Sequence, residues 1–224
     1  MARFFQSELD ELRTKIVQMA ELAAVSVENV LRSLYDRDAD AARRVREDDD
    51  VLDKLEVEID AAANRYISLR APVAGDMRLV TVALKASHEL ERIGDEASSI
   101  AKRVLRLCRQ EADVDLGGIR RIGEPALALI RESIDCLVQG DSARASAIPR
   151  GDKEVDEIHR ANYADYIARI GAEPAKAPAY IELIFISKSI ERIGDHATNI
   201  AVETIYLVEG EDIRHTDRTK RSMQ

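Results

Sequence analysis

The sequence predicts an all-α protein made of two tandem, homologous, antiparallel three-helix bundles, with six long helices in total. Apolar residues recur at steps of three and four along almost the whole chain, which is the spacing of an amphipathic helix. The apolar pattern of the first half returns in the second half at an offset of 103 residues, the separation of Ile16 and Ile119. Aromatic residues make up only 4% of the chain, and this composition favours helix over strand.

The first half contains three predicted helices. The first covers the apolar stripe from Leu9 to Leu34, and the second ends near Pro72, because the residue before a proline disfavours helix. The third runs from Ala74 to Cys108. The connection at residues 35–38 is short, so the first two helices should be antiparallel neighbours.

The second half repeats these helices, with a similar short connection at Gly140-Asp141. The offset is 103 residues in the first two helices and 100 residues in the third, since Glu91 aligns with Glu191. A repeat of this size indicates a duplicated supersecondary unit. We therefore expect one bundle at residues 1–112, a second bundle at residues 113–210 and a loose polar tail at residues 211–224.

Composition excludes several classes of protein. The 224-residue chain has a net charge of −9, which argues against binding to nucleic acid or to anionic lipid by charge alone. Its two cysteines, Cys108 and Cys136, lack the spacing of metal ligands and indicate a reducing compartment. The N-terminus lacks the apolar stretch of a signal peptide, and no apolar run reaches membrane-spanning length. A cytoplasmic location is expected.

The motif Glu-Arg-Ile-Gly-Asp occurs twice, at residues 91–95 and 191–195. Both copies lie in predicted helices, so the Glu and Asp of each copy project from one helix face. Two carboxylates at this spacing repel each other by a few tenths of a kcal/mol. A bound cation is the simplest way to offset that repulsion.

The second helix of each half carries another pair of carboxylates at the same spacing. Asp49 and Asp53 correspond to Asp152 and Asp156 at the offset of 103. If the helices pack antiparallel, the two pairs of each half converge, and their pKa values should rise. Clusters of oxygen ligands suit magnesium, manganese, calcium or iron. A solvated acidic face is the alternative, and the common ancestry of the two halves explains part of the recurrence.

Histidines near these pairs raise the question of a di-iron centre. Asp156 and His159 have the acid-x-x-His spacing of ferritin-like sites, but the equivalent first-half residues are Asp53 and Glu56. The spacing is therefore not reproduced in both halves, which argues against a redox di-iron site. His88 and His196 are expected at the surface or at helix caps, and a role in a metal shell is left open.

The remaining residues of the repeated motif have structural interpretations. Gly94 and Gly194 each cost about 1 kcal/mol relative to alanine within a helix, and we interpret both as positions of close helix packing. Arg92 and Arg192 are expected to pair with neighbouring acids. The sequence contains no glycine-rich phosphate loop and no nucleophile elbow, so a covalent catalyst is not indicated.

These motifs together resemble the PhoU family of phosphate-signalling regulators. The resemblance rests on the two Glu-Arg-Ile-Gly-Asp helices, on the segment Gly151-Asp-Lys-Glu-Val-Asp156 and on the closing segment from Ile205 to His215. It extends from about Phe4 to His215, and the order of the motifs agrees throughout.

The resemblance implies two three-helix bundles and metal sites formed by the repeated acidic motifs. Iron, manganese, magnesium and zinc are all possible ions, and the sequence does not choose among them. One site would use the first-half carboxylates and the other the second-half carboxylates. The implied ligands are Asp49, Asp53, Glu91 and Asp95, and then Asp152, Asp156, Glu191 and Asp195.

The resemblance also implies a function that helix periodicity cannot reveal. Members of this family act as negative regulators of phosphate uptake and of the phosphate-starvation response. They link the ATPase of the phosphate ABC transporter to a sensor histidine kinase, and many form homodimers. By this resemblance the protein is a cytoplasmic adaptor and not an enzyme. Two other hypotheses stay open: a carboxylate-bridged di-iron enzyme and a metal-free helical scaffold.

Overall fold

The computed structural model describes residues 2–70, 72–110 and 112–213, with side chains from Ser7 onward. Every regular element in these ranges is helical, which confirms the predicted all-α class. The long helices are α1 (Ala2–Tyr35), α2 (Ala39–Arg70), α3 (Ala74–Cys108), α4 (Gly117–Gln139), α6 (Ile148–Ala172) and α7 (Ala177–Glu209). A four-residue helix, α5 (Ser142–Ala145), precedes α6, and a 3-10 turn (Pro174–Lys176) precedes α7.

The turn before the second helix is built in the same way in both halves. Arg37 and Gly140, which are equivalent in the repeat, have positive φ angles of 51° and 66°. The next residue caps the following helix with its carboxylate. Asp38 accepts hydrogen bonds from the amides two and three residues further on, and Asp141 accepts one from the amide three residues on. These bonds satisfy N–H groups that a helix N-terminus leaves free.

The second helix is continuous in the first half and interrupted in the second. Helix α5 ends at Ala145 and α6 begins at Ile148, whereas α2 runs unbroken from Ala39. Pro149 stands where the first half has Arg46. A proline has no N–H to donate to the carbonyl four residues back, and its ring collides with that carbonyl. The six predicted long helices are present, and α5 is an element that the apolar pattern does not predict.

The core of each half is formed by the predicted apolar stripes. Helix α2 packs on α1 and α3, and α6 packs on α4 and α7. Residues equivalent in the repeat occupy equivalent core positions, which confirms the register of the duplication. The buried residues of α2 include Val45, Leu52 and Leu55, and their equivalents are Ile148, Val155 and the partly buried Ile158.

Helices α3 and α7 pack against each other and join the two halves side by side. Their ion pairs show that the two helices are antiparallel, since the residue numbers rise along α3 while those of the partners fall along α7. Helix α1 also contacts α4. The pairs between α3 and α7 are Lys85–Glu203 at 3.0 Å, Glu96–Arg192 at 3.1 Å and Arg103–Glu182 at 3.0 Å.

The end of the described chain differs from the prediction of a loose tail beginning at residue 211. The side chain of Ile213 is only 9% exposed and packs on the hydrophobic core, because it is an apolar group next to the end of α7. Residues 214–224 of the predicted tail lie outside the described ranges. None of the described helices has an apolar stretch long enough to cross a bilayer.

Candidate metal centres

The predicted carboxylate pairs face each other in two grooves, one between α2 and α3 and one between α6 and α7. Glycines on the third helix of each half make this approach possible. A Cβ atom added to Gly94 would overlap the side chain of Leu52 and lie 3.1 Å from Asp49 Oδ1. A Cβ atom added to Gly194 would lie 2.5 Å from Asp152 Oδ1. The predicted close helix packing is confirmed, and it places a carboxylate directly against the backbone of the facing helix.

The four first-half carboxylates influence one another electrostatically. Burial raises the pKa of Asp49 above its usual value, the Ser98 hydroxyl opposes this rise, and the charges of Asp95 and Asp53 add to it. Burial also raises the pKa of Glu91, with a further contribution from Asp95. Asp49 of α2 and Asp95 of α3 therefore lie close enough to interact, whereas the acidic neighbours that act on Glu91 are Asp95 and Glu56.

The second-half carboxylates are coupled more strongly. The pKa of Asp152 is raised to about 7, first by burial and then by the charges of Asp195 and Asp156. The pKa of Asp195 is also raised, by burial and then by Glu191 and Asp156. At neutral pH the metal-free groove therefore binds protons that isolated carboxylates would have lost.

One carboxylate oxygen in these grooves is shielded from solvent and accepts no hydrogen bond from the described residues: it is Asp152 Oδ1 in the second half. The shielded Glu91 Oε2 of the first half lies 3.1 Å from Arg92 Nε instead. A buried polar group without a partner destabilises a fold by about 1–3 kcal/mol, and a charged group by more. Oxygen atoms of this kind are good ligands for a divalent cation, so these residues fit the metal site that the sequence predicts.

Basic side chains neutralise part of the acidic charge. Arg92 lies 3.1 Å from both Glu91 and Asp95, whereas its repeat equivalent, Arg192, reaches across to Glu96 on α3. Both arginines therefore pair with neighbouring acids, as predicted. In the second groove the basic side chain is Lys188, whose Nζ lies 2.5 Å from Glu191 Oε2. The sequence alone did not single out this lysine.

The histidines have different partners in the two halves. His159 Nδ1 lies 3.0 Å from Ser187 Oγ, and burial lowers the pKa of its imidazole. His196 Nδ1 lies 2.7 Å from the carboxylate of Glu89. The charges of Glu191 and Asp156 oppose this lowering of the His159 pKa, so the imidazole lies near the acidic groups of the second groove while its Nδ1 is bonded to Ser187.

The tightest group of potential ligands among the described residues is one that the sequence did not assign. Glu56, His88 and Glu91 each place one potential ligand atom within 4.8 Å of the other two. No three of the eight predicted carboxylates are this close. Like charges without a cation repel, Asp53 and Asp95 are exposed, and Asp95 pairs with Arg92. Part of this group could have been found from the sequence, because His88 and Glu91 are three residues apart and therefore neighbours on one helix face.

Comparison with known proteins identifies the repeat independently. The family model described as the PhoU domain matches residues 16–104 and again residues 119–204. A protein from Pseudomonas aeruginosa strain PAO1, named phosphate-specific transport system accessory protein PhoU homolog, is 34% identical over 217 residues. That alignment covers 96% of this chain and 90% of the relative. The accessory protein PhoU of Escherichia coli K12 is 32% identical over 211 residues, which cover 94% of this chain and 88% of the relative.

Solved structures have the same architecture. The crystal structure of PhoU from Pseudomonas aeruginosa superposes with a TM-score of 0.89 at 34% identity, and covers 92% of this chain and 100% of that one. The phosphate transport system regulatory protein PhoU from Streptococcus pneumoniae superposes with a TM-score of 0.83 at 24% identity, over 92% of this chain and 98% of that one. The second match supports the fold alone.

Replacing Gly94 by alanine should destabilise the protein. Alanine is intrinsically better than glycine in a helix by about 1 kcal/mol. At this position, however, the added methyl group overlaps the buried Leu52 side chain and crowds Asp49. Overpacking of this kind costs about 1–3 kcal/mol, so we expect a net loss of stability in urea unfolding.

Gly171→Ala is the matched control, because Gly171 also lies in a helix and its added methyl group would meet nothing within 4 Å. This variant should be as stable as the parent protein or slightly more stable. Equal stability of the two alanine variants would contradict the close packing at Gly94.

The stability of the metal-free protein should fall as the pH rises from about 4 to 7. In this window the folded state retains a proton on Asp152, whose pKa is about 7, while the unfolded chain, with an ordinary value of 3.8, has released it. Asp152→Asn removes this penalty. Because the site is partly exposed to solvent, we expect a gain of about 1 kcal/mol at pH 8 and almost none at pH 4.

Urea unfolding in a chelator at several pH values checks this prediction. Asp50→Asn, at an exposed position on α2, controls for the loss of one negative charge. If Asp152→Asn and Asp50→Asn showed the same dependence on pH, the strong coupling at Asp152 would be refuted.

Proposed function

Because the chain belongs to the PhoU family, we propose that it is an accessory regulator of phosphate-specific transport. In this role it acts as a negative regulator of phosphate uptake and of the phosphate-starvation response. The proposal is supported by the double match to the PhoU domain and by relatives, named as accessory proteins of the phosphate-specific transport system, that align over more than nine-tenths of the chain.

The proposed mode of action is that of an adaptor without turnover of its own. It contacts the ATPase of the phosphate ABC transporter and the sensor histidine kinase, and it works as a homodimer. The carboxylates lie in open grooves along helix surfaces, and Asp95 keeps 49% of its side chain exposed. An open groove of this kind is accessible to a partner protein, which favours an adaptor over an enzyme that encloses a substrate.

Metal binding is the second part of the proposal, and the shielded Oδ1 of Asp152, which accepts no hydrogen bond from the described residues, is the observation that supports it. A bound divalent cation supplies the positive charge that facing carboxylates lack. The chain's own part is to hold the carboxylates of two helices close together and to present the ion at the surface, where it can meet an acidic group of a partner. The proposed ligands are Asp49, Asp53, Glu91 and Asp95 in the first half, and Asp152, Asp156, Glu191 and Asp195 in the second.

A phosphate-starvation reporter in a strain lacking the gene tests both parts. In high phosphate the deletion should activate the reporter, and the wild-type gene should restore repression. A variant with alanine at the acidic positions of both repeated motifs should not restore it. The four substitutions are Glu91→Ala, Asp95→Ala, Glu191→Ala and Asp195→Ala.

The matched control replaces four exposed acids that lie outside the motifs. It should fold and repress normally, and circular dichroism should give equal helix content for both variants. The control substitutions are Glu47→Ala, Asp60→Ala, Asp135→Ala and Glu157→Ala.

The outcomes separate the competing functions. An unchanged reporter in the deletion strain would refute the regulatory role. Normal repression by the motif variant would refute the role of the metal and favour a metal-free scaffold. Purified protein with two irons and an oxygen-dependent absorbance change would favour the di-iron enzyme instead.

A further inference from the structure

A cavity of about 600 Å³ opens between the two halves, at the end of the molecule where α7 finishes. Its walls come from α1 and α3 of the first half and from the C-terminal ends of α4 and α7 of the second. Binding pockets have volumes of about 300–1,000 Å³, so this cavity is large enough to hold a ligand or a short peptide segment. Most of the side chains that line it are apolar, among them Leu9, Ile16, Leu79, Leu137, Val138 and Val208.

The repeat places an equivalent site at the opposite end of the molecule, and that site is filled. Residues at the ends of α1 and α3 line it, at the repeat offsets of 103 and 100 from residues of the open cavity. The free space that remains there is only about 10 Å³. The equivalent pairs are Leu34 with Leu137, Arg37 with Gly140, Leu107 with Leu207 and Cys108 with Val208.

The connection between α3 and α4 fills the equivalent site. Its Val114 is only 7% exposed, and its Leu116 packs on the core beside the same wall. Arg37 holds the connection in place, because its guanidinium donates a hydrogen bond of 2.7 Å to the carbonyl of Ala112. Residues 113–116 are not helical and read Asp-Val-Asp-Leu, so acidic and apolar side chains alternate in the segment that closes this end.

The composition of the chain after α7 does not suit the open cavity in the same way. Ile213 packs on the core near the end of α7, as Val114 does near the end of α3. Among residues 214–224, Met223 is the only apolar side chain. The same segment has four basic side chains and one acidic one, and charged groups are costly to bury among apolar ones. A segment of another molecule is therefore the better counterpart for this cavity.

The charges on the cavity wall favour an acidic counterpart. Among the described residues, the charged side chains that line it are Arg13 and Asp76. Asp76 already accepts a hydrogen bond of 3.1 Å from the hydroxyl of Tyr66. Arg13 is 59% exposed and lies 3.8 Å from Asp10, and a surface pair of this kind is weak. The guanidinium of Arg13 can therefore pair with an acid that arrives beside the apolar side chains.

We propose that the open cavity is the docking site for an extended segment of a partner protein, in which apolar and acidic residues alternate. The apolar side chains of that segment enter between the ends of α4 and α7, and an acidic side chain meets Arg13. The connection between the two halves shows how such a segment fills the equivalent site. This docking role rests on the proposed adaptor function, because an adaptor needs a surface at which a partner is held.

A labelled peptide with the sequence of residues 109–116 is the probe that tests the proposal. Fluorescence polarisation measures its affinity for the full-length protein, and NMR of leucine and valine methyl groups locates it. The peptide should shift the methyl signals of Leu137 and Val208 and leave those of Leu34 and Leu107 unchanged. A peptide with serine at both apolar positions should bind about 10-fold more weakly or worse, because the side chains that fill the cavity are gone.

Substitutions on the cavity wall give a second test. Val138 and Val208 are 53% and 44% exposed, so Val138→Glu and Val208→Glu should fold normally. Each should weaken the peptide about 10-fold or more, because the added carboxylate would be buried beneath it. Val57→Glu is the matched control, since Val57 is 67% exposed and lies on α2, which does not line the cavity. Arg13→Glu should weaken the peptide and should strengthen binding of a peptide with lysine in place of its aspartates.

The results distinguish this docking site from the proposed function. Absence of peptide binding, equal affinity of the parent and the wall variants, or shifts confined to Leu34 and Leu107 would each overturn it. If Met223→Glu in the full chain raised the peptide affinity about 10-fold, the chain's own residues 214–224 would be the occupant, which would also overturn it.

The phosphate-starvation reporter gives the corresponding test in cells. In high phosphate, Val138→Glu and Val208→Glu should fail to restore full repression, whereas Val57→Glu should restore it. Full repression by both wall variants would overturn the docking site and leave the regulatory role, which the deletion strain tests, intact.

Discussion

The close approach of the second and third helices in each half is the constraint on which the rest of the structure depends. At Gly94 and Gly194 the backbone of one helix lies against a carboxylate of the other, so acidic groups that would otherwise separate are held together. Burial of the apolar stripes supplies the free energy for this approach. Each buried leucine or isoleucine contributes about 1.5–3 kcal/mol, while a pair of facing carboxylates repels by much less at the surface.

Comparison of the two halves shows which features accompany the close approach of the second and third helices in both. Both halves have a turn with a positive φ angle, a capping aspartate, a glycine at the helix contact and facing acidic pairs. The halves differ at positions that do not form the glycine contact between these helices. The second helix of the second half is interrupted just before Pro149, and Lys188 stands at the position that His88 has in the first half. A common scaffold thus carries two chemically different surfaces.

The helices and the facing carboxylates were predictable from the sequence, because both depend on regular spacing along the chain. The apolar stripes fixed the register of Val45 with Ile148, and the four-residue spacing placed Glu91 and Asp95 on one face. The contact of His88 with Glu56 was not predictable in this way, since it depends on how α2 is rotated against α3. The same applies to the shielding of Asp152, which only the packed structure reveals.

The central claim is that the facing carboxylates bind cations, and anomalous diffraction from crystals grown with manganese tests it most directly. Manganese accepts carboxylate ligands, which both grooves provide. The account predicts anomalous peaks between α2 and α3, beside Glu91, and between α6 and α7, beside Asp152. Grooves without a peak, in which the carboxylates contact only water and neighbouring basic side chains, would contradict it.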